Sequence, residues 1–128
     1  MSGDKRIEFW GDCLQTRSFM FIDDCLHGTQ AITKSDILDP INLGSAEMVS
    51  INQLVDLAED IAGIKLERSY KLDAPKGVRG RRSDNTLIQD RLGWEPGVTL
   101  REGLEKTYAW IYDQMKSGSS KDSVVNLY

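Results

Sequence analysis

With 128 residues the chain has the size of one small domain, long enough to bury about two-thirds of the surface its unfolded form exposes. A composition of 40% hydrophobic, 28% charged and 8% aromatic residues excludes collagen-like and disordered classes, and no apolar run nears the roughly 20 residues of a membrane span. The net charge of -4 argues against a dedicated nucleic-acid binder, and Cys13 and Cys25 are too few for a disulfide scaffold or a zinc site. They are read as reduced thiols, with no metal site.

The opening MSGDKRIEFWGD carries charge where a secretory signal needs an apolar stretch, which points to a cytoplasmic protein. Residues 7–10 read as a short strand running into the Gly11-Asp12 turn, and residues 17–22 as a second β-prone run. Asp23 and Asp24 then open a helix carrying Leu26, Ala31 and Ile32. Two acids at a helix start predict capping rather than paired acid-base catalysis. Residues 41–43 read as a short apolar strand between Pro40 and Gly44.

Ser50-Ile51-Asn52-Gln53 has the form of a capping box, and Ile51, Leu54, Val55, Ala58 and Ile61 follow at helical spacing until Gly63. Residues 64–72 alternate as a strand, with Ile64, Leu66, Arg68, Tyr70 and Leu72 on one face. Pro75, Gly77 and Gly80 make residues 73–82 a loop. Ser83 or Asp84 can cap a short helix that stops at Gly93. Thr99 and Glu102 form a second capping box, and Leu100, Leu104, Tyr108, Ile111 and Met115 give a stripe along a final long helix. The expected organisation is a mixed α/β domain over residues 1–116 and a flexible tail over 117–128.

Charge is unevenly spread. Residues 65–82 hold seven basic residues against two acids, while the rest of the chain holds nine against eighteen. A cationic segment inside an acidic domain suggests a local anion site, the alternative being a solvated basic loop. No GxGxxG or GxxxxGK[ST] turn is present, so the chain shows no phosphate loop of its own. His27 has no second histidine or nucleophile at a useful spacing and reads as an ordinary core or surface residue. Arg17 follows Gln15 and Thr16 at the mouth of a strand, and Gly77-Val78-Arg79-Gly80-Arg81-Arg82-Ser83-Asp84 places guanidinium groups on a flexible loop. A planar guanidinium forks onto two phosphate oxygens, so the two segments would clamp a pyrophosphate if they converged.

FWGDCLQTRSFMFIDD, PINLGSAEMVSINQLVDLAEDI and GVRGRRSDNTLIQDRLGWEPGVTLREGLEKTYAWI together resemble the C-terminal part of the extended short-chain dehydrogenase/reductases that act on nucleotide sugars. The resemblance runs from Ile7 to the terminus. It implies a mixed α+β substrate-binding part without a complete Rossmann domain, and assigns Gln15, Thr16, Arg17 and Arg81 to the nucleotide diphosphate sugar, of GDP-mannose-like type. Arg79 and Arg82 receive no such role, and Arg68, on the preceding strand, is expected to lie outside the site. Complete members use NAD to oxidise and re-reduce the sugar around an epimerisation. This chain is expected to lack their TGxxGxxG turn, their YxxxK pair and their cysteine-lysine acid-base pair, and so to hold no cofactor, carry no catalytic residue and be inactive alone.

The partners implied are the sugar nucleotide and either the missing N-terminal Rossmann half or a second copy in a homodimer, with no nucleic acid and no membrane. The competing reading is a non-enzymatic binding or interaction module with a basic anion-binding loop.

Overall fold

The computed structural model describes residues 5–75 and 77–118. The first strand, β1 (Arg6–Trp10), ends where Gly11 takes a positive φ of 85°. The turn is closed by Asp12, whose carboxylate accepts from the Leu14 amide at 3.0 Å. Cys13 also adopts a left-handed φ of 55° while almost fully buried, a conformation that favours glycine. Burial is the first cause raising its thiol pKa and the neighbouring Asp12 charge the second, so the thiol stays protonated.

Strand β2 (Thr16–Ser18) is shorter than the β-prone run suggested, because the backbone enters helix α1 (Ile22–Lys34) directly after Phe21. The acidic pair does lie in the first turn of α1, but it does not cap the helix. The N-cap is Phe21, without a side-chain bond, and Asp24 is buried with its two oxygens accepting from the amides of Gly97 (3.2 Å) and Val98 (2.9 Å). Its carboxylate therefore ties the start of α1 to a loop more than seventy positions away. His27 is exposed on α1.

Residues 41–43 do not form the expected strand. Leu43 instead lies over α1, at Gly28, where it shares the space above the helix with the Trp94 ring. The sheet contribution comes later, from β3 (Met48–Ser50). Ser50 then caps α2 (Ile51–Ala62) in the reciprocal box with Gln53 that the spacing predicts, and Gly63 ends it at a φ of 65°. The first amides of α2 are also met from outside the helix, Ile51 donating to the Gln15 carbonyl and Asn52 to that of Cys13, both at 3.2 Å.

Strand β4 (Glu67–Lys71) pairs in parallel with β1, from Arg6 opposite Glu67 to Trp10 opposite Lys71, and Phe9 stacks on Tyr70. The loop that follows contains a two-residue strand, β5 (Gly80–Arg81), which joins β2 in parallel. A second sheet results, in the order β3-β2-β5, with β3 antiparallel to β2. Helix α3 (Thr86–Leu92) stops at Gly93 as expected, and Thr99 and Glu102 cap α4 (Leu100–Gly118) reciprocally. The last helix thus extends two residues beyond the expected domain limit at 116, and residues 119–128 of the expected tail lie outside those described.

Phe9, Cys13, Ala74, Ile88 and Leu100 form the buried apolar core of the described residues, whereas Trp10, Leu14, Ile22, Leu72 and Trp110 are among the large apolar side chains left more than half exposed. One buried carboxylate, Glu59 on α2, is satisfied by Arg68 (2.8 Å), Lys65 (3.1 Å) and the Leu66 amide (3.1 Å), fastening α2 to β4. None of the helices among the described residues is long and apolar enough to cross a membrane.

Candidate anion-binding site

The parallel pairing of β2 with β5 decides the geometry. Its register sets Thr16 opposite Gly80 and Arg17 opposite Arg81, so two arginines distant in sequence become neighbours across one strand pair. The Thr16 amide donates to the Arg79 carbonyl at 2.9 Å and continues the ladder. The strands approach closely at Gly80, where a Cβ would lie 3.0 Å from Thr16 Oγ1 and push that hydroxyl aside. A Cβ on Gly77 would stand 3.3 Å from the Arg17 guanidinium, which also donates to the Thr16 carbonyl at 2.7 Å.

An open cleft of about 350 Å³ lies against this pair. Its lining comes from three segments: Arg17, Ser18 and Met20; Leu43, Gly44 and Ser45; and Arg81, Arg82 and Ser83. Among the described residues, none of Arg17, Arg79, Arg81 and Arg82 makes an ion pair. The basic run of the sequence is thereby divided by the fold. Lys65 and Arg68 face acids of α2, while the arginines after Gly77 remain available for an external anion. Lys76 lies outside the described residues.

Of the four residues assigned from sequence, Arg17 and Arg81 meet at the cleft. Thr16 forms the strand seam beside it, and Gln15 lies at the turn before β2 with its carbonyl engaged by α2. Arg82, Ser18 and Ser83 line the cleft without having been assigned. Their signal was weak because a two-residue strand inside a Gly- and Pro-rich loop leaves no periodicity to read. Arg68 is outside the cleft as expected, but it is no neutral surface charge.

One expectation needs correction outright. Tyr112-Asp113-Gln114-Met115-Lys116 has the YxxxK spacing that the chain was expected to lack. The pair lies on an exposed stretch of α4, with the Lys116 ammonium 4.4 Å from the Tyr112 ring centre, and neither residue lines the arginine cleft. Contact with Tyr112 holds the lysine above its ordinary pKa, the outcome of a helical i,i+4 pair in solvent.

No protein-family model matches the chain. It is 49% identical over 123 residues to a GDP-mannose 3,5-epimerase of Arabidopsis thaliana, a match covering 96% of this chain and 32% of that protein. Among solved structures, the UDP-glucose 4-epimerase of Thermotoga maritima with UDP-glucose superposes with a TM-score of 0.80 at 28% identity, over 86% of this chain and 36% of the other. The UDP-glucuronic acid 4-epimerase of Bacillus cereus, in complex with UDP-glucuronic acid and NAD, gives 0.77 at 31% identity, over 84% and 35%. The chain spans about a third of the length of these relatives and corresponds to their C-terminal part. Over that third, the chain is similar in sequence and in fold to nucleotide-sugar epimerases of the extended short-chain dehydrogenase/reductase family.

Proposed function

We propose that this chain is the portion of a nucleotide-sugar epimerase that holds the substrate's diphosphate, and that its ligand is of the GDP-mannose class. The observation that carries the reading is the register of Arg17 with Arg81 beside an open cleft. Like charges held opposite one another are unfavourable unless an anion sits between them, and forked guanidinium groups suit two phosphates. The name of the Arabidopsis relative supports the choice of sugar nucleotide. The competing reading, a general basic interaction module, is not favoured, since it gives no reason for the arginines to converge on one cleft.

The residues present do not fit a dinucleotide. Its pyrophosphate needs a glycine-rich turn that opens a helix, but the turn after β1 leads into β2, and the first amides of α2 are already occupied by Gln15, Cys13 and Ser50. NAD therefore belongs to the remaining two-thirds of the complete enzyme.

The test is titration of GDP-mannose into the 128-residue chain, followed by amide NMR shifts. Arg17→Ala and Arg81→Ala should each weaken binding about 10- to 100-fold, the loss of one charge-assisted fork. Arg79→Ala removes the same charge from the same loop without touching the cleft lining, and should change affinity by less than about threefold. Equal small losses in all three variants would reduce the clamp to a diffuse field.

The same reading expects the chain alone to epimerise nothing and to self-associate as a dimer through its exposed apolar side chains, Trp10, Leu72 and Trp110 among them. Light scattering over a dilution series, with product analysis after incubation with NAD and GDP-mannose, checks both. A monomer at every concentration, or turnover above a protein-free control, contradicts it.

A further inference from the structure

Asn85 occupies the N-cap of α3, where an asparagine side chain ordinarily accepts from the first amides of its own helix. It makes no such bond, and the Thr86 amide is met by Asp84 instead, at 3.1 Å. The Asn85 amide group donates to the Gly44 carbonyl at 2.7 Å, and its oxygen accepts from the Ser83 hydroxyl at 2.6 Å. Gly44 and Ser83 both line the arginine cleft, on two segments distant in sequence. They approach so closely that a Cβ on Gly44 would lie 2.6 Å from that of Ser83.

We infer that Asn85 is a positioning residue that sets the width of the cleft, by bracketing the Gly44 wall against the segment that carries Arg81. The inference rests on the function proposed above. A helix cap has been diverted to join two loops some forty positions apart in sequence, and the side chain is half-buried with donor and acceptor both engaged. Loss of the bracket frees the Gly44 segment from the segment that carries Arg81 without removing either guanidinium.

Two ligands separate this role from a merely structural one. Inorganic pyrophosphate is short enough to rest on the arginines alone, whereas GDP-mannose must also fit between the walls. In the 128-residue chain, Asn85→Ala should weaken GDP-mannose about tenfold while changing pyrophosphate affinity by no more than about twofold. Gly44→Ala should give the same split by another route, since its methyl forces the walls apart with Asn85 intact, and it serves if the first variant does not fold. Equal losses for both ligands, or no loss for either in the folded variants, would overturn the inference while leaving the arginine clamp standing. Failure of the unaltered chain to bind either ligand, or indifference to Arg17→Ala and Arg81→Ala, would overturn the functional reading and this inference with it.

Discussion

Arg68→Met is expected to lower the melting temperature by roughly 10 °C or more, because it strands a buried charge. Glu59 is 3% exposed and Arg68 donates to it at 2.8 Å while also reaching Asp56 at 2.6 Å. Lys65, the other cation on Glu59, is largely in solvent and compensates little. The hydrogen bond from Arg68 is the main cause holding the Glu59 carboxyl down at about 2, below its ordinary 4.5. A carboxylate whose folded pKa is depressed stabilises the fold above the unfolded value and loses that contribution as acid protonates it. The stabilisation should therefore be complete at neutral pH and decline as pH falls from about 4.5 to about 2. Melting of the parent and Glu59→Gln across that window measures it. Parallel curves for the two proteins, or an unchanged melting temperature for Arg68→Met, would remove the ion pair from any account of stability.

Gly28→Val should destabilise the chain by about 2–3 kcal/mol, and even Gly28→Ala by about 1 kcal/mol, although alanine ordinarily improves a helix interior. A Cβ on this residue of α1 would meet Leu43 Cδ1 and come within 2.8 Å of Trp94 Cζ2. The leucine methyl can swing aside, but the half-buried indole, followed closely by Pro96, has little room. Leu43 also lines the arginine cleft, so its displacement should weaken GDP-mannose binding as well. Urea unfolding of both variants decides the sign, and a stabilised Gly28→Ala would show that Trp94 yields freely.

What could be read in advance follows a physical division. The starts of α2 and α4 were legible because Ser50 with Gln53, and Thr99 with Glu102, satisfy amides within three residues of themselves, and the ends of α2 and α3 because Gly63 and Gly93 stop a helix by their own backbone freedom. Asp24 was misassigned as a cap because its real partners, Gly97 and Val98, are fixed only when the loop before α4 folds back. Residues 41–43 had the composition of a strand but found no neighbouring edge, only the surface of α1. For the site, the arginine forks were visible as residue types and their convergence was not, since it depends on β5, a strand too short to carry a pattern. Asn85 and Gly44 left no local signal at all, because their bond joins two loops.

The strand pairs that build both sheets impose an order of events on the chain. β1 meets β4, and β2 meets β5, each across more than sixty positions and each in parallel, a pairing that closes long loops before any contact compensates their lost entropy. During synthesis the first arginine of the proposed clamp waits for half of the 128-residue chain to follow before its partner exists. On the proposed function, the grip on a diphosphate is therefore acquired in a single late step, and a polypeptide halted anywhere before Gly80 holds half of it without any partial competence.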